Sequence, residues 1–212
     1  DKIPEAMFDD EWFVCSLYEH PYYGAWMYEN ASERLREKRE VLMKALDAAL
    51  PALEFAPETF KNDPEIVRYA VEQNGCNIGC LPLRFLSDKE LVRLAMRSNC
   101  GCFFVLPLFL REDREVVLET VRNCGAMLQH LPLFQDDRKV VMEAIEDDGD
   151  AYQHVSPRLK ADKAIFLRAL ETSDLPISSV LNVAPSTIWN DRDAVEKAVM
   201  GKRNIFCRGG RP

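Results

Sequence analysis

The chain has 212 residues, 47% of them hydrophobic and 29% charged, a core-forming soluble composition that excludes a disordered or fibrous protein. Its net charge of -8 argues against a nucleic-acid binder that works by neutralising phosphates, because that requires a basic surface. The longest nearly apolar run, Cys100 to Leu110, is interrupted by Pro107 and is too short to cross a bilayer.

Residues 1–36 differ in composition from everything after them. Phe8, Trp12, Phe13, Tyr18, Tyr22, Tyr23, Trp26 and Tyr28 are 8 of the chain's 20 aromatics. The first 30 residues also carry 7 acidic residues against one Lys, Lys2. Pro21 and Gly24 interrupt the segment, which predicts a short helix around 9–18, a turn at 20–24 and a second short helix feeding the charged stretch 31–40. Tyr and Trp are enriched where proteins meet, so these eight rings are candidate partner-contact residues. The same rings could instead cap the array by covering the apolar edge of helix Val41–Leu46.

A repeat then takes over. Asp63, Asp88, Asp113, Asp137 and Asp162 are spaced by 25, 25, 24 and 25 residues, and Pro57, Pro82, Pro107, Pro132 and Pro157 by 25 throughout. A fixed period of this size marks a stacked array. Counted from each Asp as zero, apolar residues fall at +3, +4, +7 and +8, as in Ile66, Val67, Ala70 and Val71. That spacing is one face of an α-helix. The Asp is placed to cap the helix N-terminus, and Glu65, Glu90 and Glu115 to favour its dipole. Asn74-Gly75, Asn99 to Gly101, Asn123 to Gly125 and Asp148-Gly149 are expected to end the helices, with glycine in the left-handed region. A second, shorter helical segment comes next, ending at the proline. Leu83 and Phe85, Leu108 and Leu110, Leu133 and Phe134, or Leu159 then form an apolar connector to the next Asp.

The flanking units are degenerate. Upstream, Val41, Leu42, Ala45, Leu46 and Leu53 fit the frame, but Lys38 occupies the cap position. Downstream, Pro185 comes 28 residues after Pro157, and a last helix from Asp191 through Val195, Ala198 and Val199 lacks a second half. Atypical ends suit an array whose terminal repeats must close an apolar face. The chain finishes in a basic tail with Lys202, Arg203, Arg208 and Arg211.

The string D-x-E-V-V-L-x-x-V-x-x-x-G-x-x-L-x-x-x-P, clearest at 113–132, resembles the repeat family catalogued as domain of unknown function 4116. The resemblance covers about 61–170 and implies an all-helical tandem repeat without assigned chemistry, so it supplies no catalytic residues.

No constellation of residues points to catalysis. The seven cysteines (15, 76, 80, 100, 102, 124, 207) read as free thiols in tight turns, without the second pair or the His partners a zinc site needs. His130 and His154 lie 24 residues apart, so they are expected to stack one repeat apart as a polar surface row. No recurring nucleophile accompanies them. Asp148-Gly149-Asp150 lacks the ligand pattern of a calcium loop.

The sequence therefore predicts an all-α protein: an α-solenoid of about six short helix-turn-helix repeats of ~25 residues. An aromatic, acidic arm or cap covers 1–36, the repeats cover 37–200 and a basic tail covers 201–212. The expected function is a non-catalytic protein–protein interaction module, a scaffold or a peripheral accessory subunit of a larger assembly. A bacterial-type adaptor engaging host proteins, or the repeat appendage of an enzyme, is the alternative. Protein partners are expected, with no cofactor, metal, nucleic acid or membrane span. Peripheral association with a membrane complex stays open. The free thiols place the chain in a reducing intracellular compartment, the cytoplasm or, if the start at Asp1 reflects a removed presequence, an organelle.

Overall fold

The computed structural model describes residues 3–20, 23–173, 180 and 182–197. Tyr22, the segment 174–179 and the basic tail 201–212 lie outside the described residues, as do Ala198 and Val199. The described residues are helical or in turns, without a strand. The chain divides into two compact units, 1–112 and 113–212.

In the first unit a 3-10 turn (Glu5–Asp9) leads to α1 (Glu11–Ser16), α2 (Gly24–Asn30), α3 (Glu33–Arg36) and α4 (Arg39–Asp47). A 3-10 helix (Ala52–Phe55), α5 (Glu58–Lys61) and α6 (Pro64–Gln73) come next. Then come a 3-10 helix (Gly75–Cys80), α7 (Leu83–Leu86), α8 (Lys89–Ser98), a 3-10 helix (Cys100–Val105) and α9 (Leu108–Arg111). The second unit holds α10 (Arg114–Asn123), 3-10 helices Gly125–His130 and Pro132–Phe134, and α11 (Arg138–Asp147). It continues with a 3-10 helix (Gly149–His154), α12 (Pro157–Lys160), α13 (Lys163–Thr172) and α14 (Ser186–Trp189).

Each full repeat is thus a ten-residue α-helix, a 3-10 helix and a post-proline helical turn. Within each unit, equivalent elements of successive repeats pack side by side. α6 lies against α8 and 3-10 helix 75–80 against 100–105; α10 lies against α11, and α11 against α13.

The cap positions behave as the sequence predicts. Oδ1 of Asp63, Asp88, Asp113, Asp137 and Asp162 each accepts two backbone N–H bonds from the first turn of the helix it opens, at 2.8–3.4 Å. Lys38 makes no side-chain cap. The residues at +3, +4, +7 and +8 of all five full units are buried, including Thr120, whose hydroxyl donates to the Val116 carbonyl at 2.8 Å. That bond removes the cost of placing a hydroxyl in an apolar layer.

Three expectations change. No described glycine has positive φ. The helix is stopped instead by an extended residue just before the 3-10 helix, Asn74, Asn99, Cys124 or Asp148, with φ between -141 and -158. Where that residue is Asn or Asp, its side chain accepts from the backbone N–H two residues on, at 2.9 Å. The glycine directly after Asn74, Cys124 or Asp148 serves close packing: a Cβ on Gly75 would lie 2.3 Å from the Ala95 carbonyl oxygen, and one on Gly125 2.1 Å from that of Ala144. Second, the expected short helix is 3-10, which suits a six-residue run better than an α-helix with few i→i-4 bonds. Third, the post-proline connector is a helical turn, and its first apolar residue faces solvent: Leu83, Leu108 and Leu133 are 67%, 61% and 74% exposed.

One buried polar slot recurs at +14. Asn77 donates to the Ala70 and Asn74 carbonyls at 3.0 and 3.1 Å and accepts from Leu53 N–H at 3.1 Å. One repeat on, Cys102 donates its thiol hydrogen to the equivalent carbonyls of Ala95 and Asn99.

Candidate protein-contact surface

The aromatic segment at the start of the chain is folded against α4 and the 3-10 helix 52–55. Asp10 Oδ1 accepts from Phe13 N–H at 2.9 Å and caps α1. α1 buries Val14 and the chain just beyond it buries Tyr18, which leaves Trp12 on the outer side, 79% exposed. α2 buries Met27 and Tyr28 and turns Trp26 outward.

Polar bonds fix the segment in place. Ser32 Oγ donates to Asp9 Oδ1 at 2.5 Å, Arg34 Nε donates to the same oxygen at 3.0 Å, and Arg34 Nη2 donates to the Asp9 carbonyl at 2.8 Å. Ser32 N–H donates to the Phe8 carbonyl at 2.8 Å. Lys38 pairs with Glu11 at 2.8 Å. The hydrogen bonds from Arg34 and Ser32 hold the Asp9 carboxyl below its usual value, and Lys38 does the same for Glu11. Burial pushes the Tyr18 and Tyr28 phenols up.

The same bonds recur in the second unit. Ser156 donates to Asp136 Oδ1, Arg158 Nε donates to Asp136 at 3.0 Å, and Ser156 N–H donates to the Gln135 carbonyl at 2.9 Å. Tyr28 Oη donates to the Arg36 carbonyl at 3.3 Å, as Tyr152 Oη does to that of Lys160 at 2.7 Å. The aromatic arm therefore reuses the bonding plan of a repeat. Its signature is present in sequence, with Tyr28, Ser32, Arg34 and Leu35 spaced as are Tyr152, Ser156, Arg158 and Leu159. Extra residues between Asp10 and Gly24 break the constant period and hide it.

Tyr22 lies outside the described residues, and the other seven candidate residues separate into classes. Tyr18 and Tyr28 are buried core residues and cannot meet a partner, because their rings pack inward and against each other at 6.3 Å. Phe8 and Phe13 are half-buried, while Trp12, Tyr23 and Trp26 are exposed. Phe8 stacks edge-on with Trp26 at 5.5 Å, Trp26 contacts Tyr23 at 6.3 Å, and Tyr23 contacts His20 at 4.8 Å. This continuous ring cluster opens to solvent at Tyr23 and Trp26, with Glu5, Asp10, Glu19 and Glu29 exposed on the same arm.

Other expected features have structural surroundings. His130 and His154 end 3-10 helices that pack together. Burial, then Lys160 and His130, lower the His154 pKa. Asp148 accepts from Asp150 N–H, Asp150 accepts from the Ser173 hydroxyl, and Asp147 accepts from Gly125 N–H at 2.7 Å. The described cysteines are in no disulfide: Cys102 is buried and Cys15, Cys76, Cys80, Cys100 and Cys124 are half-buried. Cys207 lies outside the described residues. Among the described residues, no three His, Cys, Asp or Glu side chains are grouped to hold a metal ion. No described helix is long and apolar enough to cross a membrane.

One set of exposed apolar residues escapes sequence reasoning. In the first unit Leu83, Phe104, Val105, Leu108 and Phe109 are all about half exposed or more. The 25-residue recurrence of Leu83, Leu108 and Leu133 after proline is its signal, which pattern alone reads only as an apolar connector.

Residues 50–86, 88–135 and 137–182 match, as three tandem copies, the family described as Domain of unknown function (DUF4116). Together the copies take in more than half of the chain. No curated protein and no solved structure matches it.

Proposed function

The chain belongs to the family described as domain of unknown function DUF4116, and we propose that it is a non-catalytic interaction module, an α-solenoid whose N-terminal arm docks a protein partner. The observation that carries this reading is the exposed Trp12, Tyr23 and Trp26 on an arm pinned by Asp9–Arg34, Asp9–Ser32 and Glu11–Lys38. Exposed aromatic rings cost little conformational entropy when bound, and pinning lowers that cost further. The acidic residues beside them select a partner face that is basic around an apolar pocket, mainly by steering encounter. A role as scaffold or accessory subunit fits the same geometry.

The test is affinity purification of the full chain from its native cells, comparing wild type with Trp12→Ser/Trp26→Ser. The reading expects a stoichiometric co-eluting protein that the double variant loses while it stays folded by circular dichroism. Retention of that protein by the folded double variant, with loss in Leu108→Ser/Phe109→Ser, would move the docking surface to the exposed apolar residues of α9.

A further inference from the structure

Cys76 and Cys102 come from consecutive repeats and meet at Asn99. The Asn99 side-chain amide donates to Cys76 Sγ at 3.6 Å, and the Cys102 thiol donates to the Asn99 carbonyl at 2.5 Å. The glycine slot makes the approach feasible, since a Cβ on Gly75 would stand 2.9 Å from Cys102 Sγ. Cys102 thus sits against the backbone just ahead of Cys76. Burial, reinforced by the neighbouring Cys76 thiol, pushes the Cys102 thiol up to about 12.

Access to the two sulfurs differs. Cys102 is fully buried, whereas Cys76 is half-buried and lines a surface pocket with Asn77, Gly79, Cys80 and Val105. A thiol that solvent reaches, beside a shielded one, is the arrangement of an oxidation-sensitive cysteine with its resolving partner.

We propose that Cys76 and Cys102 are an oxidisable pair that a hydroperoxide converts into a disulfide joining the α6 and α8 repeats. The Cys76 thiolate attacks one peroxide oxygen and the O–O bond breaks. One oxygen stays on sulfur as the sulfenic acid, and the other takes a proton and leaves as water. Cys102 then attacks the Cys76 sulfur; the S–O bond breaks, and the departing hydroxide carries off the thiol proton as a second water. Two thiols give up two electrons and one hydrogen peroxide is reduced to two waters. The buried, protonated Cys102 makes the second step slow, so Cys76 sulfenic acid accumulates first.

The test is peptide mapping without reductant after the folded full chain is treated with equimolar hydrogen peroxide. The expected product joins the tryptic peptides Tyr69–Arg84 and Ser98–Arg111 and is released by dithiothreitol. Cys76→Ser should lose it, and Cys80→Ser and Cys100→Ser should keep it, each variant being checked for folding by circular dichroism. Over-oxidation of Cys76 to sulfinic acid without the joined peptides would overturn the proposal. So would a joined pair that survives in Cys76→Ser.

Discussion

Arg138 grips a carboxylate that is already in use. Its Nε donates to Asp162 Oδ2 at 3.1 Å while Asp162 Oδ1 accepts from the Ala164 and Ile165 amides that open α13. One residue therefore caps its own helix and anchors the helix of the preceding repeat. The relationship recurs as Arg39–Asp63 at 3.7 Å, Arg114–Asp137 at 2.6 Å and Lys163–Asp191 at 2.9 Å. Side-chain charge at the start of one helix thus reads the cap of the next, which favours pairing in one register.

Asp162→Ala should remove the cap and the ion pair together and cost about 1–2 kcal/mol, most of it from the lost cap. Asp162→Asn, which can still accept from the first-turn amides, should cost about 0.5 kcal/mol. Arg138→Ala should stay below about 1 kcal/mol, because the pair is half-exposed and screened by water. Urea unfolding of the three variants checks the order. If Arg138→Ala proves the costliest, the capping account is wrong.

Acid should lower the stability of the protein in two steps. Asp136, Asp137, Asp162, Glu143 and Glu146 all have lowered carboxyl pKa values. For Asp136, Asp137, Glu143 and Glu146 the largest effect is a hydrogen bond from Ser156 or an Arg. For Asp162 burial raises the pKa, but Arg138 and two backbone amides outweigh it. A depressed carboxyl contributes stability that is complete above the unfolded value, 3.8 for Asp, and is lost as pH falls through the folded value. His154 is also depressed, here from 6.5, by burial and by Lys160 and His130. Below 6.5 the unfolded chain takes up its proton first, so stability declines there as well. Denaturation midpoints across pH should show a shallow decline beginning near 6.5 and a steep one below about 4. His154→Gln should abolish the shallow limb alone.

Gly125→Ala should destabilise by at least the upper end of the roughly 1–3 kcal/mol typical of overpacking. Its new Cβ would meet the Ala144 carbonyl oxygen, within α11, at 2.1 Å and the Cβ of Asp148, just beyond that helix, at 2.9 Å. Gly101→Ala should cost about 1 kcal/mol or less, since a Cβ there approaches only the Asn99 side chain, at 3.0 Å. Thermal melting of the two variants separates close packing from backbone freedom: equal losses would mean that the glycines serve conformation after all.

Ala49 is the one described non-glycine residue with positive φ, at 55. It lies just beyond α4, is exposed, and its carbonyl accepts from the Asn74 side chain at 2.8 Å. A left-handed Ala costs about 1–2 kcal/mol, which Gly would relieve against an entropic loss of roughly 0.5–1 kcal/mol. Ala49→Gly should therefore stabilise slightly, by about 0.5 kcal/mol. A lower melting temperature for this variant would refute it.

Several features were legible from residue order because they depend on local geometry alone. The Asp at each helix start caps because its carboxylate reaches only the first-turn amides. The +3, +4, +7 and +8 residues are buried because a helix has 3.6 residues per turn. The tandem helical repeat and its family are readable from these periodicities. The candidate site was legible only in outline, as a run of rings whose inward and outward members look alike in sequence. Tyr18 and Trp12 have similar composition around them, yet one is core and the other surface, and only the packing of the arm on α4 and its own rings tells them apart.

What tertiary structure decided are the contacts between residues some 20–30 positions apart. The glycines were ambiguous in sequence, since both a left-handed turn and a close approach demand the same missing side chain. Only the neighbouring repeat's carbonyls choose between them. The sequence by itself determined the helices, their caps and their period. The docking of repeat on repeat decided which leucines reach solvent, how the aromatic arm is pinned and which two thiols meet, because burial is a property of neighbours that a residue's own position in the chain does not specify.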